Sequence, residues 1–141
     1  MPVRKAEAEW KGTLKEGSGQ IKSESGTVNG NYSFGTRFES AKGTNPEELI
    51  AAAHAGCFSM ALAGGLTRAG FPPTRVHTTA SVRLDKVGEG FEITKIELEC
   101  EAVVPKIDET AFHAQANAAK EGCPVSKALK ATSITLKARL V

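Results

Sequence analysis

The sequence predicts an α+β fold in which antiparallel β-sheets pack around one long, buried central helix. Two observations support this prediction. Apolar and polar residues alternate with period two in several segments near both ends of the chain, which is typical of strands with one face in solvent. Between those segments, the stretch from Leu49 to Thr67 contains no formally charged residue. The predicted order of elements is β-β-β-α-β-β-α-α-β.

The N-terminal third predicts three strands in a meander. In the first strand, apolar side chains recur on even positions: Ala6, Ala8, Trp10 and Leu14. A Gly-Ser-Gly turn leads to a second, polar strand over residues 20–25, and Asn29 marks the next turn. Phe34 and Phe38 then share one face of a third predicted strand, and Arg37 lies on its other face.

The next segment predicts the central helix, beginning after Asn45 and ending near Ala69. Asn45 is a suitable N-cap, Pro46 fits the first helical position, and Glu48 completes a capping box. Gly70 fits the left-handed position just past the helix end. The uncharged stretch approaches the length that spans a bilayer, but it is rich in Ala and Gly and includes polar residues. Burial within the protein is therefore predicted, and no membrane is an expected partner.

Two long strands, two helices and a final strand complete the predicted order. Alternation predicts strands over residues 76–84 and 95–102, with a Gly-Glu-Gly turn between them. The rest of the chain is predicted to form, in order, a helix capped by Asp108 that reaches Glu121, a short helix from Pro124 to about Lys130, and a strand over residues 134–140.

Length and composition indicate one globular domain over residues 1–141. Hydrophobic residues make up 40% of the chain and charged residues 24%, as in ordinary soluble proteins. The net charge is +2 and no basic stripe is present, so nucleic acid is not an expected partner. The N-terminus lacks the pattern of a secretory signal, so we expect a cytoplasmic protein whose thiols stay reduced.

Three cysteines are the candidate reactive groups, and their contexts differ. Cys57 lies inside the predicted central helix, one turn after His54. A small core residue is the ordinary interpretation, and His54, the nearby Ser59 and the lack of bulky neighbours weaken it. Cys123 is predicted at a helix N-cap, where backbone N–H groups stabilise a thiolate, although a plain junction residue is the alternative. Cys100 lies on the apolar face of a strand and is predicted to pack in the core.

Arg37, Glu47 and His54 also have ordinary structural interpretations. Arg37 is interpreted as a solvated strand charge, and Glu47 lies in a first helical turn, where the helix dipole favours acids. His54 fits a hydrogen-bonded core histidine, a general base or, with Cys57, half of a metal site. No further ligands accompany that pair, so neither a metal nor another cofactor is predicted. Three scattered cysteines do not predict a disulfide scaffold.

Four stretches of sequence together resemble the OsmC/Ohr family. They are Thr36-Arg37-Phe38, Gly43-Thr-Asn-Pro-Glu-Glu-Leu-Ile50, Ala52-Ala-His-Ala-Gly-Cys57-Phe-Ser-Met60 and Gly122-Cys-Pro-Val-Ser126. The order of elements also fits from end to end, and the first and third stretches resemble the OsmC branch. The resemblance implies an intertwined homodimer. It also implies a thiol peroxidase that reduces organic hydroperoxides, and hydrogen peroxide more weakly.

The resemblance further implies roles for individual residues. Cys57 matches the peroxidatic cysteine and Cys123 the resolving cysteine, while Arg37 and Glu47 match the pair that supports the reactive thiolate. The implied cycle passes through a Cys57 sulfenic acid and a Cys57–Cys123 disulfide, which an external dithiol then reduces. The family suggests a lipoylated protein as that dithiol. Cys100 has no family role.

Physical chemistry adds a requirement for a cation and for a second chain. A free thiol with a pKa of about 8.5 is only a few per cent ionised at neutral pH, and burial lowers that fraction. Arg37, held by Glu47, would supply the missing charge. Glu47 and Cys57 are separated by about 15 Å along one helix and by roughly 80° around it. Unless the helix is broken, Glu47 therefore supports the Cys57 of a partner chain, and each site is predicted to be completed across a homodimer interface.

Two other functions remain open from the sequence. A non-enzymatic redox sensor would use the same disulfide but would react with peroxide only stoichiometrically. A small-molecule binding module would hold lipid-like ligands in an apolar groove of the dimer, with the cysteines incidental.

Overall fold

The computed structural model describes residues 1–141, which form six strands and four helices. In chain order they are β1 (Ala6–Lys11), β2 (Ser18–Ser23), β3 (Asn29–Tyr32), α1 (Phe34–Phe38), α2 (Pro46–Arg68), β4 (Arg75–Val87), β5 (Gly90–Val103), α3 (Glu109–Gly122), α4 (Pro124–Ala128) and β6 (Ser133–Leu140). The α+β class is confirmed. Contacts cluster into two compact units, residues 1–49 and 50–141, and the single domain over residues 1–141 stays a prediction.

The N-terminal unit contains an antiparallel meander of β1, β2 and β3, as predicted. The third strand lies earlier than predicted: Asn29–Tyr32, where a turn was predicted, forms β3, and residues 34–38 of the predicted strand form the helix α1. The Ser33 side chain accepts a hydrogen bond from the Thr36 N–H, and the Ser33 N–H donates to the Thr36 hydroxyl. This capping box overrides the alternating pattern, so the prediction that Arg37 lies on a strand is wrong.

Helix α2 begins and ends where the sequence predicts. The Glu48 N–H donates to the side-chain oxygen of Asn45 at 2.8 Å, which confirms the N-cap. The Glu48 carboxylate, however, accepts from the Thr44 hydroxyl instead of completing the capping box. Gly70 has a φ of +91°, as expected just past a helix end. The helix is unbroken over its 23 residues.

The sheet of the C-terminal unit has the strand order β4-β5-β6. Strands β4 and β5 form a long antiparallel hairpin, but β6 runs parallel to β5. The prediction of purely antiparallel sheets is therefore wrong at this edge. The reason is the connection: α3 and α4 provide the long crossover that a parallel pair requires.

The core of the C-terminal unit packs one stripe of α2 against β5 and α3. Its buried members include Phe58, Leu62, Leu66, Ile96, Leu98, Cys100, Ala102, Phe112 and Ala116. Cys100 is thus a core residue, as predicted. Helix α2 is less buried than the sequence suggests, because Ala52, Ala53, Gly56 and Met60 are exposed along its other side. By length and composition alone α2 could cross a membrane, a property that core helices of soluble proteins share.

Candidate active site

Arg37 and Glu47 form a bidentate ion pair within the N-terminal unit. Arg37 Nη2 lies 2.7 Å from Glu47 Oε1, and Arg37 Nε donates to both carboxylate oxygens at 3.1 and 3.3 Å. The side chain of Glu47 is only 9% exposed, whereas that of Arg37 is 38% exposed. Glu47 lies in the first turn of α2, where the helix dipole also favours a carboxylate. The pair holds the guanidinium in a fixed orientation and leaves its Nη1 end unused by Glu47.

Cys57 and Cys123 lie together in the C-terminal unit, although they are distant in sequence. The Cys57 thiol lies near the Cys123 side chain and the Val125 backbone, and both groups act on its pKa. Both cysteines are free thiols; Cys57 is half-buried and Cys123 is fully buried. Burial raises the pKa of Cys57, the hydrogen bond with Val125 lowers it, and the adjacent Cys123 raises it again, so the net direction is upward. These neighbours include no cation, and a reactive thiolate needs one.

Cys123 joins two helices. Its N–H donates to the Ala119 carbonyl at the end of α3, and its Sγ accepts from the Ser126 N–H at 3.3 Å at the start of α4. Pro124 occupies the first turn of α4, which suits a residue without a free N–H. The predicted N-cap position of Cys123 is therefore confirmed, and the cap fixes the direction of its sulfur.

A buried histidine and a buried serine extend this cluster. His54 Nε2 lies 2.7 Å from Ser126 Oγ, and the Cys123 thiol donates to the same oxygen at 3.2 Å. His54 is fully buried, and its Nδ1 has no hydrogen-bond partner. Burial lowers the pKa of His54, so the neutral imidazole prevails at neutral pH. Sequence reasoning gave Ser126 no role of its own; the signals were its place at the third position of the helix that Cys123 caps and its place at the end of the Gly122–Ser126 stretch.

The titration of His54 predicts a stability change at mildly acidic pH. Because burial lowers the folded-state pKa of His54, the unfolded chain takes up a proton at a pH where the folded chain does not. His54 therefore contributes stability that is present above about pH 6.5 and is lost as the pH falls toward the folded-state pKa, by up to about 1.4 kcal/mol per pH unit.

The measurement is the free energy of unfolding in urea, compared for the wild type and His54→Gln over a series of pH values. We expect it to fall more steeply for the wild type below about pH 6.5. Glu97 and Glu101 do not contribute to this pH dependence. Lys95 lowers the pKa of Glu97 and Arg139 lowers the pKa of Glu101, so both carboxylates titrate at lower pH. Parallel curves for the two proteins would contradict a buried, neutral His54.

Similarity to known proteins supports one family. The family model for OsmC-like proteins matches residues 39–138, which is more than half of the chain. The chain belongs to the OsmC family. It is 56% identical to the Peroxiredoxin OsmC of Escherichia coli (strain K12) over 138 residues, which cover 97% of this chain and 96% of that protein. The Peroxiredoxin OsmC of Shigella flexneri has the same identity and coverage.

Solved structures of OsmC and Ohr proteins share this fold. The organic hydroperoxide resistance protein OhrB of Bacillus subtilis has a TM-score of 0.70 at 26% identity, with 97% of this chain and 98% of that chain covered. An OsmC-like protein from Mycoplasma pneumoniae has a TM-score of 0.77 at 16% identity, with 99% and 98% covered. No cluster of three or more His, Cys, Asp or Glu side chains in this OsmC-family chain could hold a metal ion.

Proposed function

We propose that this OsmC-family chain is a thiol-dependent peroxidase that reduces organic hydroperoxides, and hydrogen peroxide more slowly. The observation that carries the proposal is the proximity of two free thiols, Cys57, which is half-buried, and Cys123, which is fully buried and close enough to raise the pKa of Cys57. The names of its relatives support the same activity: peroxiredoxin for the proteins at 56% identity, and organic hydroperoxide resistance for OhrB.

The proposed cycle uses both cysteines and an external dithiol. The Cys57 thiolate attacks one peroxide oxygen, the O–O bond breaks, and the other oxygen takes up a proton and leaves as alcohol or water. Cys123 then attacks the Cys57 sulfenic acid, so that an S–S bond forms while the S–O bond breaks and water leaves. Thiol–disulfide exchange with the dithiol restores both thiols and leaves the dithiol oxidised. A lipoylated protein is the proposed source of the dithiol.

Arg37 is proposed to supply the cation that Cys57 needs, and it does so from the partner chain. Glu47 holds Arg37, and Glu47 and Cys57 lie on one unbroken helix. Ten helical residues separate the two by about 15 Å along the axis and turn them about 80° apart. A neighbouring copy running in the opposite direction brings the Arg37–Glu47 pair of one chain to the Cys57 of the other.

The surface of α2 supports a homodimer. Ala52, Ala53, Gly56 and Met60 form an exposed apolar strip, and Met60 is 78% exposed. Contiguous exposed apolar surface on a soluble protein marks a contact with a partner, and small side chains let a second helix approach closely. We therefore propose that residues 1–141 form one domain of a cytoplasmic homodimer in which this strip is covered.

A turnover assay separates an enzyme from a stoichiometric sensor. The reduced protein is mixed with an excess of cumene hydroperoxide and dithiothreitol, and hydroperoxide loss is followed over time. We expect many equivalents to be consumed per protein, because the dithiol regenerates both thiols. We also expect cumene hydroperoxide to be consumed faster than hydrogen peroxide in the same assay. Consumption that stops after a single equivalent, with the dithiol still present, would favour the sensor instead.

A further inference from the structure

A chain of hydrogen bonds leads from Cys123 into the protein interior, and the proposed cycle does not use it. The Cys123 thiol donates to Ser126 Oγ at 3.2 Å, and Ser126 Oγ lies 2.7 Å from His54 Nε2. All three side chains are buried, with exposures of 0%, 3% and 0% for Cys123, Ser126 and His54. The chain ends at His54, because its Nδ1 has no partner.

Along the hydrogen bonds from Cys123 through Ser126 to His54, every donor points toward His54. A serine hydroxyl carries one proton and accepts through its lone pairs. Because Ser126 Oγ accepts from the Cys123 thiol, its own proton is free to be donated to His54 Nε2. The ring proton of the neutral imidazole then lies on Nδ1, where no acceptor is present. A buried donor without an acceptor is costly, and such a group in a native structure calls for a functional explanation.

We propose that His54, acting through Ser126, accepts the proton of Cys123 when Cys123 attacks the sulfenic acid of Cys57. The inference rests on the proposed function, in which Cys123 resolves that sulfenic acid. The Cys123 proton moves to Ser126 as the Ser126 proton moves to His54 Nε2. The sulfur of Cys123 then forms the S–S bond while the S–O bond breaks. The hydroxide takes up one proton to leave as water, and the imidazolium later loses one, so no proton is consumed overall.

The surroundings of the relay make a coupled transfer necessary. A separated pair of charges is costly inside a buried cluster, and burial disfavours an imidazolium at His54. Proton transfer along the chain during the attack avoids a lasting separation of these charges. The Ser126 N–H also bonds Cys123 Sγ at 3.3 Å, so it stabilises negative charge on that sulfur as the proton leaves.

The groups beside His54 leave it free to act as the acceptor. Its pKa is lowered by burial, with no charged neighbour contributing. The titratable groups in this cluster are Cys57, on the same helix, and Cys123, at the start of α4. A neutral imidazole with an acceptor nitrogen aimed at Ser126 is the form required to take up a proton. His54 is thus a positioning residue for resolution, and Ser126 is the group that touches the reacting sulfur.

Rapid-quench kinetics test the relay. The reduced protein is mixed with one equivalent of cumene hydroperoxide, and samples are quenched with a sulfenic-acid-trapping diketone and an alkylating reagent. Mass spectrometry then gives separate rates for Cys57 oxidation and for Cys57–Cys123 disulfide formation. The variants are His54→Gln, which keeps a hydrogen-bonding group but cannot take up a proton, Ser126→Ala, which breaks the chain, and Ser126→Thr, which keeps the hydroxyl.

We expect His54→Gln and Ser126→Ala to oxidise Cys57 within about twofold of the wild-type rate but to form the disulfide about 100-fold more slowly, as loss of a general base predicts. Ser126→Thr should recover most of the disulfide rate. In His54→Gln the disulfide rate should also rise steeply with pH, because solvent base replaces the relay, while the wild type depends on pH less. A purely structural role would not separate the two steps in this way.

Two results would overturn the relay. Equal disulfide rates and equal pH profiles in the wild type and in both chain-breaking variants would exclude it and leave the proposed function intact. If the wild type forms a sulfenic acid but no Cys57–Cys123 disulfide, the resolving role of Cys123 fails, and the relay fails with it. Since Ser126→Ala adds no polar group to the core, it keeps the test decisive if His54→Gln does not fold.

Discussion

Replacement of Cys57 by serine should lower the rate of hydroperoxide reduction at least about a thousandfold, because a serine hydroxyl stays protonated and is a far weaker nucleophile than a thiolate. The matched control is Cys100→Ser, which makes the same chemical change in the core. Cys100 is paired with Thr78 across strands β4 and β5, and the Thr78 hydroxyl is the expected partner of the new hydroxyl. We expect Cys100→Ser to retain activity within about twofold.

The measurement is the steady-state rate with cumene hydroperoxide and excess dithiothreitol, with circular dichroism to verify folding. Cys123→Ser should behave differently from both, because the first oxidation of Cys57 survives while the sulfenic acid is left unresolved and over-oxidises during turnover. A Cys57→Ser variant with wild-type turnover would exclude the peroxidase proposal and favour the binding module, in which the cysteines are incidental.

Replacement of Arg37 by glutamine should lower kcat/KM about 100-fold at neutral pH and shift the rise of the rate to higher pH. The reason is that burial raises the pKa of Cys57, and Arg37 is the proposed cation that stabilises its thiolate. Loss of about two pKa units of stabilisation reduces the thiolate fraction by about that factor. The measurement is the pH dependence of single-turnover Cys57 oxidation. An unchanged pH profile would contradict a role for Arg37.

Mixed dimers test whether Arg37 acts on the partner chain. Arg37→Gln keeps Cys57, and Cys57→Ser keeps Arg37, so neither homodimer has a complete site. If the site is shared, each mixed dimer contains one complete site, and random exchange of subunits restores about a quarter of the wild-type activity. If Arg37 serves its own chain, the mixed dimers stay inactive. Mixing Arg37→Gln with a Cys57→Ser/Arg37→Gln double variant is the matched control, and it should restore nothing.

The sequence predicts elements best where local chemistry decides them. The cap at Asn45 and the left-handed Gly70 bound α2 correctly, because each acts within a few residues of the helix end. The alternation through Phe38 was misleading, because the reciprocal bonds between Ser33 and Thr36 start a helix there. Alternation also reports which face of a strand is buried but not its direction, so the parallel β6 could not be predicted.

The candidate site is predictable in part for the same physical reasons. The N-cap position of Cys123 follows from its neighbours, whereas the approach of Cys123 to Cys57 depends on how α3 and α4 pack, and only the family resemblance indicated it. The bond between His54 and Ser126 joins residues 72 positions apart, and no local pattern predicts it. The family is established; the roles of Arg37, Glu47 and the cysteines stay predictions.

The central claim is that Cys57 and Cys123 form the working disulfide, and peptide mass spectrometry tests it most directly. The reduced wild type and Cys100→Ser are treated with one equivalent of cumene hydroperoxide and Cys123→Ser with an excess, and all three proteins are then alkylated and digested. We predict a Cys57–Cys123 disulfide in the wild type and in Cys100→Ser, and sulfinic or sulfonic acid at Cys57 in Cys123→Ser when peroxide is in excess. A disulfide that includes Cys100, or unmodified Cys57 after the peroxide is consumed, would contradict the claim.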